Sequence, residues 1–169
     1  MKIRDLMTPQ FQVVREGDSL LQAVHRLRDC PLVEDELGIK SVIVLDGEDR
    51  LRGVLTQSDV VDEILFPYFV RDLSGLRGKD HEFRAGDFEA LAVWAAKVQV
   101  KDVMTYQPTT VSPDADAFEA ADLLTSKRIK SLPVIEEGKV IGILYRSALY
   151  RYMASSILAC APDTETVEG

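Results

Sequence analysis

Apolar positions along this chain fall into short runs of two periods, and the same order of runs occurs twice. In the first half, Phe11 to Val14 reads as an extended segment. The turn-forming Glu16-Gly17-Asp18-Ser19 then leads into a helix, predicted by Leu20, Leu21, Val24 and Leu27 on one stripe. Two strands follow, Ser41 to Leu45 and Arg52 to Leu55, joined by the hairpin residues Asp46-Gly47-Glu48-Asp49. A second helix starts near Gln57. In the second half the extended segment is Pro108 to Val111 and the turn is Ser112-Pro113-Asp114. Phe118, Ala121 and Leu124, backed by Ala117, Ala120 and Leu123, predict the helix. Leu132 to Ile135 and Val140 to Leu144 flank Glu136-Glu137-Gly138, and a last helix starts near Arg146. Each half therefore reads β-α-β-β-α.

The halves also match residue by residue. Ile3-Arg4-Asp5-Leu6-Met7-Thr8 returns as Val100-Lys101-Asp102-Val103-Met104-Thr105, an offset of 97 residues. Val14, Leu21, Ala23 and Leu27 meet Val111, Phe118, Ala120 and Leu124 at that offset. Ile39-Lys40-Ser41 meets Ile129-Lys130-Ser131, and Arg52-Gly53-Val54-Leu55 meets Ile141-Gly142-Ile143-Leu144. Two copies exclude a long solenoid and favour a pseudo-twofold pair. The expected division is repeat 1 over 1–61, a helical linker over 62–99, repeat 2 over 100–158 and a polar, frayed tail over 159–169. Within the linker, Pro67 is expected to end or kink the helix from Gln57. Gly86-Asp87 is expected to open another helix, with Phe88, Leu91, Ala92 and Ala95 on one face and Trp94 near its edge.

Composition narrows the function by exclusion. The chain has 169 residues, 46% of them hydrophobic, enough for a real core. Its net charge of −8 argues against nucleic acid as main partner, because phosphate neutralisation needs a basic face. A small anion held by a few local cations stays open. No run reaches the roughly 20 apolar residues of a membrane helix, and the N-terminus has no apolar leader. The expectation is a soluble cytoplasmic protein. Cys30 and Cys160 read as structural or incidental thiols, outside any metal spacing. His25 and His81 have no second ligand at metal spacing, and no hydrolase, zinc-protease or P-loop motif is present. Met7 and Met104 read as core residues at the head of each repeat. An enzyme acting alone is not expected.

The chemistry-bearing motif is Gly53-Val54-Leu55-Thr56-Gln57-Ser58-Asp59, at a strand-to-helix junction. Gly53 allows close backbone approach. Thr56 and Asp59 can point to one side of the first helical turn. There the carboxylate could take both hydroxyls of a vicinal diol, as acids do with ribose elsewhere, and free N–H groups would favour an anion nearby. The same spacing is a capping box, with Thr56 as N-cap and Asp59 three residues on. Both readings stay open, and they are compatible.

The duplicated script resembles a pair of CBS domains, the units of Bateman modules. The resemblance rests on the Asp5–Thr8 and Asp102–Thr105 openings, on Ile129-Lys130-Ser131-Leu132-Pro133-Val134 and on Gly53-Val54-Leu55-Thr56-x-x-Asp59. It runs from Ile3 to about Tyr152, omitting the linker. It implies an α/β (α+β) fold of two pseudo-symmetric β-α-β-β-α repeats packed as one module with two clefts between them. It also implies an adenosyl ligand such as AMP, ADP or ATP, bound as a regulatory ligand rather than an obligatory cofactor. Carried over, Asp59 would hold the ribose and Thr56 a phosphate or the ribose edge. Val54, Pro108, Thr109, Ile129 and Pro133 would enclose the base, and Lys130 and Ser131 would face the phosphates.

The second repeat departs from this pattern, with Tyr145 where Thr56 stands and Ala148 where Asp59 stands. The first departs too, with Ile43 in place of the strand proline Pro133. One functional cleft built on Asp59 is therefore expected, the other being empty or altered. Arg146 could draw a different anion there, though it reads more simply as a solvated arginine. The leading expectation is a stand-alone regulatory module that senses energy state through an adenine nucleotide. The alternative is a dimeric scaffold that binds none, Thr56 and Asp59 serving only as caps. A homodimer is implied, and an unidentified regulated protein is a further possible partner.

Overall fold

The computed structural model describes residues 1–28, 41–62, 89 and 92–160. Of the expected linker helix, residues 92–95 are helical. Pro67, Gly86-Asp87, Cys30, His81 and the tail after Ala161 lie outside the described residues.

The described strands are β1 (Gln12–Arg15), β2 (Ser41–Leu45), β3 (Leu51–Thr56), β4 (Thr105–Tyr106), β5 (Ser131–Glu136) and β6 (Lys139–Tyr145). The helices are α1 (Leu20–Arg28), α2 (Gln57–Val60), α3 (Ala117–Ser126) and α4 (Arg146–Cys160). One sheet runs β1-β2-β3-β4, with β1 and β2 parallel and the other neighbours antiparallel. The other is the antiparallel pair β5-β6. Single bridges extend it on both sides, Val111 to Val134 (parallel) and Thr8 to Ile143 (antiparallel). The two sheets thus share one strand order, as the repeat predicted.

The hairpin of the first repeat turns on a buried carboxylate. Asp46 accepts hydrogen bonds from the N–H groups of Glu48 at 2.8 Å and Arg50 at 3.0 Å, and from Arg50 Nε at 2.9 Å. The Arg50 N–H is the largest influence holding its pKa down, at about 2. In the second repeat the N-terminus of α3 is capped by Asp116, which accepts from Phe118 and Glu119 N–H at 2.8 and 3.0 Å.

The repeats exchange their openings. The single 3-10 turn Ile3–Asp5 is bonded to the second repeat: Ile3 N–H donates to Ala115 O and Arg4 N–H to Pro113 O. Its counterpart Val100–Asp102 is bonded to the first: Val100 N–H donates to Asp18 O and Lys101 N–H to Glu16 O. Thr8 then pairs with β6, and β4 with β3. The hydrophobic clusters follow the exchange. Val100 and Val103 are buried with Val14, Leu20, Ala23, Leu27, Val42, Val44 and Leu55. Ile3 is buried with Val111, Ala120, Leu124, Leu132, Val134 and Leu144. A third cluster, centred on Ile43, Val54 and Ile143, joins the two sheets. The expected core placement of Met7 and Met104 is realised only partly, each being half-buried against the other repeat's glycine, Gly142 or Gly53.

Three expectations need correction. The buried stripe of α1 is Leu20, Ala23 and Leu27, not the set containing Leu21 and Val24, which are 51% and 42% exposed. In α3 the buried residues are Ala117, Ala120 and Leu124, and Phe118 is 84% exposed. In both helices small alanines face the sheet, where close approach favours them, and larger apolar residues lie outside.

The third correction concerns Pro108 to Val111, which is not a strand but a single bridge. Val111 N–H donates to Pro133 O, and Ile135 N–H donates to Val111 O. The next ladder bond upstream would run from the N–H of residue 133 to the carbonyl of Thr109. Proline has no N–H to give. In the first repeat Ile43 occupies that place, and the ladder continues to Gln12.

Candidate functional site

A cleft of about 310 Å³ lies between the repeats. Its floor comes from β3 and the start of α2 (Val54, Thr56, Ser58, Asp59), its edge from the exchanged segment after β4 (Thr105, Gln107, Pro108, Thr109) and its wall from the α3–β5 turn (Arg128, Ile129, Lys130, Ser131). It is of the size and composition that suits a small ligand, partly apolar with a few polar groups converging.

Thr56 and Asp59 form the capping box that their spacing allowed. Asp59 Oδ2 accepts from Thr56 N–H at 2.7 Å and from Thr56 Oγ1 at 2.8 Å, and Asp59 N–H donates to Thr56 Oγ1 at 3.2 Å. This locks the carboxylate toward the cleft. Its second oxygen, Oδ1, has only Thr105 Oγ1 at 3.5 Å, at the long limit of a hydrogen bond. Capping therefore orients the acid and leaves one oxygen for another donor.

Of the residues singled out by sequence, Val54, Thr56, Asp59, Pro108, Thr109, Ile129, Lys130 and Ser131 line this one cleft. Pro133 does not; it is buried within β5. Four lining residues escaped sequence reasoning: Ser58, Thr105, Gln107 and Arg128. Thr105 closes the repeated opening hexapeptide, so the repeat itself carried the signal for it. Arg128 sits next to the matched Ile-Lys-Ser, but nothing local marks it.

Two of the lining residues have left-handed backbones without being glycine, Gln107 at φ 48° and Arg128 at φ 55°. Arg128 follows α3 at the position where glycine is the common choice. The side chains of Arg128 and Lys130 make no hydrogen bond or ion pair among the described residues. Two cations thus stand at the mouth of a cleft whose one carboxylate is already hydrogen-bonded.

The pseudo-equivalent place on the other side differs. The Tyr145 hydroxyl stands 3.5 Å from Ser41 Oγ, the counterpart of Ser131, and Ala148 is buried where a carboxylate would be needed. Arg146 is neither a solvated arginine nor an anion ligand. Its guanidinium donates to the carbonyls of Leu124 and Ile129, tying down the turn that forms the wall of the first cleft.

The CBS domain family matches residues 3–66 and 100–155 of this chain. An uncharacterized protein of Methanocaldococcus jannaschii, MJ1426, is 30% identical over 158 residues, covering 88% of this chain and 89% of that protein. The crystal structure of CBSX2 in complex with AMP is similar at a TM-score of 0.62 and 25% identity, covering 91% of this chain and 97% of that one. The cytosolic domain of the Mg2+ channel MgtE, solved in complex with ATP, is similar at a TM-score of 0.57 and 25% identity, covering 86% of this chain and 46% of that one. With its two matched segments, shared strand order and inter-repeat cleft, the chain belongs to the CBS-domain family as a tandem pair.

Proposed function

We propose that this chain is a regulatory module that binds an adenine nucleotide in the cleft built on Asp59 and thereby senses the balance of AMP, ADP and ATP. The observation that carries the reading is the oriented Asp59 carboxylate, with Oδ1 open, in one cleft with Thr56, Ser131, Lys130 and Arg128. Asp59 would take the ribose hydroxyls, and the two cations with Ser131 would take the phosphates. Val54, Pro108 and Ile129 would enclose the base. That relatives have been solved with AMP and with ATP favours the same ligand class here. Binding across two repeats would stiffen their arrangement and so change what a partner meets.

Calorimetric titration with AMP, ADP and ATP tests this. One molecule per chain is expected, with the affinity lost in Asp59→Ala while the melting transition stays cooperative. Two per chain would mean that the cleft at Tyr145 and Ala148 also binds. No heat, and no rise in melting temperature with any of the three, would refute the reading, since a ligand of the folded state must raise the midpoint.

A second reading, a scaffold that dimerises through its helices, is favoured by one observation. Tyr150, Ile157 and Leu158 of α4, with Phe118 of α3, are largely exposed apolar side chains. A dimer in light scattering without any nucleotide response would support it.

A further inference from the structure

The two repeats differ at one backbone donor, and the difference falls beside the cleft. In the first repeat Ile43 continues the parallel ladder, so β1 runs from Gln12 to Arg15 against β2. In the second repeat the ladder stops at Val111, because the residue that should bond Thr109 is Pro133. Thr109 lines the cleft and makes no hydrogen bond, through backbone or side chain, among the described residues. By the register of the other repeat, its N–H and C=O are the groups that Gln12 spends on its neighbouring strand. They face Ser131 and Pro133, and Ser131 is itself a lining residue.

An adjacent donor and acceptor on one strand edge suit a particular kind of partner. Adenine presents an amino donor at N6 beside a ring-nitrogen acceptor. The Thr109 carbonyl can accept from the amino group while its N–H donates to the ring nitrogen. A 6-oxo purine places an acceptor where the amino donor stood, so the Thr109 carbonyl would meet another oxygen. A half-buried polar group left unpaired in this way is what makes hydrogen-bonding sites discriminate strongly.

From this we infer that Pro133 is a positioning residue for base selection: by withholding one ladder N–H, it leaves the Thr109 backbone to read the amino edge of a 6-aminopurine. The inference rests on the nucleotide reading above and adds to it a residue that does not touch the ligand. It also accounts for the asymmetry of the pair, since Ile43 removes the corresponding backbone groups from the other cleft.

The test is a ratio of affinities, measured by calorimetry with ADP and inosine diphosphate. Wild-type protein should bind ADP at least tenfold more tightly. Pro133→Ala returns the N–H without adding a large side chain and should bring the ratio close to one. Asp59→Asn should weaken both nucleotides by the same factor and leave the ratio intact. A merely structural role for Pro133 would lower both affinities together, so an unchanged ratio in Pro133→Ala overturns the inference. So does a wild-type protein that binds both equally. A wild-type protein that binds neither overturns the nucleotide reading along with it. Should Pro133→Ala lose its cooperative melt, the unmutated protein decides. A purine diphosphate lacking the 6-amino group should bind at least tenfold more weakly than ADP, and equal binding overturns the assignment.

Discussion

Substituting Gly53 by alanine probes the exchange of openings without reference to any ligand. A Cβ at Gly53 would meet Met104 Sδ at 2.5 Å and the Thr105 carbonyl oxygen at 2.8 Å. The sulfur is the end of a flexible side chain and can move aside. The carbonyl is backbone of β4, which pairs with β3 at Gly53–Tyr106 and Val54–Thr105. To reach ordinary contact near 3.4 Å, β4 must withdraw by about 0.6 Å, stretching the pairing that holds the second repeat's opening on the first sheet. Overpacking of this kind costs about 1–3 kcal/mol. Removing a strand glycine returns roughly 0.4–1 kcal/mol through the unfolded chain. The net loss is about 1–2 kcal/mol, or roughly 2–8 °C in melting temperature for a chain of this size. Thermal melting followed by circular dichroism measures it. Combining Gly53→Ala with Met104→Ala should not restore the midpoint, because the carbonyl contact survives. A Gly53→Ala protein that melts within 1 °C of wild type would refute the argument, as would full rescue by the Met104 substitution.

Two further outcomes are expected. The Asp46 carboxyl is held from its usual 3.8 down to about 2 in the folded chain, chiefly by the Arg50 N–H. Its contribution to stability is therefore complete above the unfolded value and is lost as pH falls from about 4 through 2. Asp46→Asn should flatten the fall in melting temperature across that window, and an unchanged slope would count against the assignment. Arg128→Gly removes a left-handed side chain at φ 55°, a strain of roughly 1 kcal/mol. Its melting temperature should hold or rise, while ADP affinity falls about tenfold and adenosine affinity does not. Equal ADP binding by the variant would remove Arg128 from the phosphate assignment.

What could be read in the sequence was whatever the repeat expresses locally. The order of elements follows from period and turn chemistry in each half. Thr56 and Asp59 announce themselves because a cap is a contact between neighbours, three residues apart. The cleft's composition is less legible, because its walls come from both repeats. Asp59 and Thr105 stand 46 residues apart in sequence, and only the exchanged opening brings them together. Arg128 is marked by a backbone angle, which no local pattern displays. The helix stripes misled for a different reason. Ala23 and Ala120 score weakly as apolar, yet only small residues fit where those helices touch the sheets. The missing strand at Pro108 to Val111 required comparing Pro133 with its partner across the sheet, a relation fixed by register rather than by neighbours.

The exchange of openings bears on what happens if the backbone is severed between the repeats. A single cut after residue 62 and before residue 92 leaves one fragment ending with α2 and another beginning ahead of β4. The first fragment still carries Ile3 and Thr8, seated in the other's core and on β6, and the second still carries Val100 and β4, seated on β3. Neither piece can depart without surrendering a segment of its own and expelling one of its neighbour's. A nicked chain should therefore travel as a single particle under native conditions and separate only in denaturant. Each half expressed alone would lack an inner part of its core.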